Sequence, residues 1–135
     1  MTQELMALLI MCLLAPLQAV FSATANARAV GFAWGLGNRD TDVQLPPWLA
    51  RLKRSHANLI ENLGSFIGIV VIAHLVGVHD EYTVAAAWAF VATRILFAAF
   101  YTLGITFLFV RTLSWFASLA AIGIIAWRIL RWRFL

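Results

Sequence analysis

The chain has 135 residues, of which 63% are hydrophobic and only 12% charged, and its mean hydropathy is +0.88. A soluble domain carries about 25% charged residues and roughly 45–50% apolar ones, so this composition excludes a water-soluble globule. The net charge of +4 and pI of 10.2 do not indicate nucleic acid, because basic residues flanking apolar stretches meet lipid headgroups or fix topology.

The first apolar stretch predicts a helix from about Leu5 to Arg28, long enough to span the hydrocarbon core with some tilt. It reads as a span and not as a cleaved leader, since Met1–Glu4 carries an acid and no base. Pro16 is a candidate kink. The single cysteine, Cys12, forms no intrachain disulfide and is expected as a small buried hydrophobe, with nothing nearby to lower its pKa. The most polar stretch, Gly31–Ser55, holds glycine, asparagine and the Pro46-Pro47 break, all loop signals, with Trp34 and Trp48 placed as interfacial anchors.

A second helix is expected to start just after Pro47, amphipathic at first (Arg51, Lys53, Arg54) and apolar from Leu63 to Val78. Gly64, Gly68 and Gly77 are read as close-packing positions. The short acidic connection His79-Asp80-Glu81 makes the second and third helices an antiparallel hairpin. The third apolar segment runs from Tyr82 to about Thr106, interrupted by Arg94. A turn between Gly104 and Thr112 separates it from a fourth, Leu113–Leu130, and a basic aromatic tail follows with Arg128, Arg131, Trp132 and Arg133. The expected fold class is therefore an all-α integral membrane protein, a bundle of four transmembrane helices forming a single domain over residues 1–135. Arg28, Arg39, Arg51, Lys53, Arg54 and Arg111 gather on one side, so the positive-inside rule places the first loop in the cytoplasm and both termini outside; the C-terminal arginines stand on the other side.

An ionisable group in a bilayer costs about 2.5–3.5 kcal/mol or more at its centre, so it is a functional candidate by default. Glu61 and Arg94 qualify, with Asn58 beside them. On the second helix Arg51, Arg54, Asn58, Glu61, Ser65 and Gly68 recur at steps of three and four, which puts them on one stripe. Arg94, Phe97 and Tyr101 form a second stripe on the third helix, with both polar ends towards the cytoplasmic side. Two readings stay open from spacing alone. Glu61 and Arg94 pair to orient the bundle, or the stripes line a site for an amphiphilic or anionic ligand.

The run Arg54-Ser55-His56-Ala57-Asn58-Leu59-Ile60-Glu61-Asn62 resembles the R-x-x-x-N-x-x-E signature of the MAPEG superfamily, the membrane-associated proteins in eicosanoid and glutathione metabolism. Gly37-Asn38-Arg39-Asp40 and Pro47-Trp48 are similar to the first loop of its small bacterial members. The resemblance implies a homotrimer in the bacterial inner membrane, holding glutathione between helices of neighbouring subunits. Arg54, His56, Asn58, Glu61, Arg94 and Tyr101 would then be its contacts, with Glu61 meeting the α-amine. Phe97 departs from the tyrosine or histidine of the family pattern. Arg111 resembles the arginine that stabilises the thiolate, although its separation from Tyr101 is longer than the pattern. The implied activity is a glutathione-dependent transferase or peroxidase-like reaction on a lipophilic electrophile from the bilayer. A non-catalytic lipid-binding or structural subunit of the same fold is the alternative. No carboxylate–histidine cluster has metal spacing. His56, His74 and His79 all lie on or just after one helix, which disfavours haem ligation.

Overall fold

The computed structural model describes residues 1–134. The first helix, α1 (Gln3–Val30), is capped by Thr2, whose hydroxyl accepts the Leu5 N–H at 3.3 Å. It continues through Pro16, which occupies an exposed position, and ends at Gly31, where φ is +121°. A short helix absent from the sequence reading, α2 (Phe32–Leu36), folds back on α1. It comes so close that a Cβ on Gly35 would lie 2.7 Å from the Ala27 Cβ. The loop beyond it is held by Trp34, whose indole N–H donates to the Thr41 carbonyl at 3.0 Å while the Arg39 guanidinium lies 5.6 Å from its ring centre.

Helix α3 (Pro47–Leu75) starts at the Pro-Pro break, with Pro47 in the first turn where its missing N–H costs nothing. Its buried stripe, Leu52, Leu59, Leu63, Phe66, Val70 and Ala73, recurs at helical spacing and faces the other helices. The chain then reverses: Val78 N–H reaches the Ala73 carbonyl at 2.9 Å, and Gly77 takes a positive φ of +75°. Asp80 caps α4 (Glu81–Leu103), its carboxylate accepting the N–H groups of Tyr82 and Thr83 at 2.9 and 3.0 Å, while its own N–H donates to the Thr83 hydroxyl at 3.0 Å. Gly104, left-handed at φ +77°, closes α4. A 3₁₀ turn over Phe107–Phe109 leads into α5 (Val110–Phe134). The basic tail is thus helical, and the side chain of Arg133 lies outside the described residues.

Helices α3 and α4 form the middle of the bundle, each packing on the other and on both α1 and α5, whereas α1 and α5 do not pack together among the described residues. Phe66 and Phe90 stack at the centre with rings 4.0 Å apart, surrounded by Met11, Val70, Ala87 and Ile125. Four helices, α1, α3, α4 and α5, are long and apolar enough to cross a membrane. Leu9, Leu13, Leu17, Val20 and Phe21 of α1 remain exposed, as a lipid-facing surface requires.

Two sequence expectations need correction. Cys12 is exposed, not buried, because it falls on the outward face of α1 beside Leu13. Gly64 and Gly68 have nothing within reach of an added Cβ, and Gly77 is a turn residue, so none of the three is a close-packing position inside this chain.

The bundle end that carries both the start of α1 and the α3–α4 turn is tied by polar contacts. Glu4 is buried and accepts the Thr83 hydroxyl at 2.6 Å, with His79 Nδ1 at 3.7 Å. Arg128 of α5 donates to Asp80 at 2.7 Å through Nε and contacts it at 2.5 Å through Nη2. Burial alone would push the Asp80 carboxyl up, but the Thr83 N–H and the Arg128 guanidinium outweigh it and hold the group below its ordinary value.

Candidate functional site

At the opposite end, the first turns of α3, the last turns of α4 and the start of α5 converge. Tyr101 sits at the meeting point. Its hydroxyl accepts the Arg54 Nε–H at 3.1 Å, and the Arg111 guanidinium lies 5.0 Å from its ring centre. Phe97, one turn earlier, stacks on Tyr101 at 5.4 Å. The Arg94 guanidinium stands 5.1 Å from the Phe97 ring, so the stacked pair of rings has a cation at each end.

Arg94 is buried to 2% exposure. Its Nη1 donates to Asn58 Oδ1 at 2.9 Å, and its Nη2 donates to the Ser118 hydroxyl of α5. Arg51 Nε–H donates to the Thr102 carbonyl at 3.0 Å, packing against Gly104, where a Cβ would come within 3.1 Å of the guanidinium carbon. Asn58, Phe97, Tyr101, Arg111, Thr112 and Trp115 enclose an open cleft of about 290 Å³. Among the described residues, Arg54, Arg94 and Arg111 pair with no carboxylate, so the cleft carries an uncompensated positive field suited to an anion.

Of the residues singled out by sequence, Arg54, Asn58, Arg94, Tyr101 and Arg111 come together. His56 does not line this cleft: its Nδ1 is 3.4 Å from Gln18 Oε1 of α1. Glu61 is exposed on α3 and pairs with no cation among the described residues; Arg94 bonds instead to Asn58 and Ser118, so the expected Glu61–Arg94 pair does not form. Sequence reasoning missed Ser118, Thr112 and Trp115. The serines 114 and 118, four residues apart on α5 and both buried, were the available signal. Groups of metal-ligating side chains are absent among the described residues.

The four membrane-length helices with an arginine-rich polar cleft at one end define an integral membrane protein of the helical-bundle class. The MAPEG family model matches residues 5–131, and the chain belongs to that family. No curated protein and no solved structure matches it.

Proposed function

We propose that this MAPEG-family protein binds glutathione, or a related cytosolic thiol, in the Tyr101 cleft and activates it for attack on a lipophilic electrophile arriving from the bilayer. The observation that carries the reading is the convergence of Arg54 and Arg111 on Tyr101 with no carboxylate paired to them among the described residues. Glutathione presents two carboxylates, an amine and a thiol, and guanidinium groups bind carboxylates through paired charge-assisted hydrogen bonds. Arg54 and Arg51 suit the carboxylate ends. Asn58, fixed by Arg94, keeps its amide N–H₂ available to an acceptor. The thiol supplies the nucleophile; its ordinary pKa is about 8.5, and an adjacent cation lowers it. Arg111 is the exposed cation on the cleft wall and is assigned that role.

Glu61 lies exposed on α3 with Gly64, Ser65 and Gly68 on the same side of the helix. Left facing lipid, a charged side chain there would cost about 2.5–3.5 kcal/mol. A neighbouring subunit laid on this face would cover it and bring Glu61 to the amine of a thiol peptide, which supports the homotrimer. The basic first loop supports a cytoplasmic cleft with both termini outside, in a bacterial inner membrane.

The test is an ultraviolet difference titration of the purified protein with glutathione. Wild type should give a saturable thiolate signal and Arg111→Ala should lose it. Absence of the signal in wild type, at concentrations that saturate a known glutathione enzyme, would remove the thiol-activating reading. One feature favours a second reading, a non-catalytic lipid-binding or structural subunit: Phe97 offers the cleft a ring and no hydroxyl. Turnover of a generic electrophile above the uncatalysed thiol reaction decides against it.

A further inference from the structure

Helix α5 supplies more of the cleft than its wall. Arg111 and Ser118 are seven residues apart, two helical turns, and so lie on one face of it. Arg111 borders the open cleft, whereas Ser118 is completely buried, at 0% exposure. Its hydroxyl donates to the Trp115 carbonyl one turn back at 2.7 Å. That bond fixes the proton and leaves the oxygen as an acceptor for Arg94 Nη2 of α4.

Arg94 passes the constraint on to α3. Its guanidinium lies against the rings of Phe90 and Phe97, 5.8 and 5.1 Å from their centres, and its Nη1 donates to Asn58 Oδ1 at 2.9 Å. A guanidinium has donors and no acceptor, so it admits only the oxygen of the asparagine amide. The N–H₂ must then face away from Arg94. Asn58 lines the cleft, and among the described residues its N–H₂ has no acceptor.

The relay depends on the serine oxygen. Arg94 is 2% exposed and its Nε already lacks a partner. Without Ser118 a second nitrogen of this buried cation would be stranded, which is costly for a charged group. The guanidinium would turn to regain an acceptor and release Asn58.

We propose that Ser118 is a positioning residue of the thiol site. Acting through Arg94, it holds the Asn58 amide with its N–H₂ turned into the cleft, so this wall takes a hydrogen-bond acceptor, a carboxylate or peptide carbonyl of the ligand, and rejects a donor. One face of α5 thereby places both the cation beside the thiolate and the amide that holds the ligand's acceptor. The ligand named here rests on the thiol reading; the relay from Ser118 to Asn58 does not.

Two measurements on the purified protein test it. The first needs no ligand. Asparagine side-chain amides are labelled with nitrogen-15, and the Asn58 pair of resonances is assigned by its loss in Asn58→Asp. Ser118→Ala should move that pair towards the position of the exposed Asn38 pair. Ser118→Thr should leave it in place, since a helical threonine also bonds a carbonyl one turn back. Ser118→Cys keeps the volume but is a weak acceptor, so it should follow the alanine variant, whereas a cavity effect would spare it. The second measurement is the glutathione titration, whose midpoint reports binding and whose amplitude reports thiolate formed beside Arg111. Ser118→Ala should raise the midpoint about tenfold with the amplitude retained, and Ser118→Thr should recover it. A serine that only stabilised the bundle would lower the amplitude at an unchanged midpoint. That result, or a wild-type Asn58 signal in both Ser118→Ala and Ser118→Cys, overturns the proposal. A wild-type protein without any thiolate signal removes the thiol reading, and the amide resonances then decide the relay alone.

Discussion

Tyr101 shows how one side chain serves two purposes. Its ring is a platform for Phe97 and Arg111, and its hydroxyl fixes Arg54 at 3.1 Å. Tyr101→Phe keeps the platform and deletes the acceptor that orients Arg54; under the proposed function, glutathione affinity should therefore fall by about tenfold, in line with ~1.5 kcal/mol for a hydrogen bond to a charged group. Tyr101→Ala removes both supports, and the same titration should show a larger loss. Equal affinities in wild type and Tyr101→Phe would mean that Arg54 is positioned by something else. Gly35 is a second single-residue dependence. With the Ala27 Cβ only 2.7 Å from an added methyl, Gly35→Ala should lift α2 from α1 and lower stability by about 1–3 kcal/mol, read as a drop in thermal midpoint.

At the level of elements, the α3–α4 hairpin depends on Asp80. Its carboxylate caps α4 and receives Arg128 of α5, which joins three helices at one end. Removing the cap in Asp80→Ala should cost about 1–2 kcal/mol. The pH dependence has a fixed sign. Asp80 titrates lower in the folded protein than its ordinary 3.8, so its contribution is full above that value and is lost as pH falls through the folded pKa. Asp80→Asn keeps a capping oxygen but no titration, so its thermal midpoint should vary less with pH across the acid range. A midpoint profile in Asp80→Asn as steep as wild type would assign the acid sensitivity to other carboxylates. The spacing of apolar residues made every long helix legible, and Pro47 and the His79-Asp80-Glu81 link marked two boundaries. The short α2 was not legible, because it depends on Gly35 meeting Ala27, a contact between elements that periodicity does not encode.

Across the whole molecule, the two bundle ends are chemically opposite. One is clamped by carboxylates, with Glu4 buried against Thr83 and Asp80 against Arg128. The other presents arginines without carboxylate partners among the described residues. Between them, the α3 face bearing Glu61, Gly64, Ser65 and Gly68 is exposed in the isolated chain. If subunits pack there, Gly68→Leu should shift the detergent-solubilised protein towards monomer in sedimentation experiments, because small residues are what let membrane helices approach closely. An unchanged sedimentation coefficient would move the interface to another face.

The sequence alone determined the membrane class, because an apolar fraction of 63% has no soluble solution at this length. It also determined which arginines share a helix face: Arg54 with Asn58, and Arg94 with Tyr101, follow from steps of three, four and seven along a 3.6-residue period. The same period explains His56. Two residues from Arg54 it lies about 200° around the axis, so helix geometry turns it away from the cleft and towards α1. Only the tertiary structure decided what Arg94 bonds to. Spacing on one helix fixes neighbours on that helix, whereas the choice of Asn58 and Ser118 over Glu61 depends on the rotation of α3 and α5 about their own axes. Side-chain packing between helices sets that rotation.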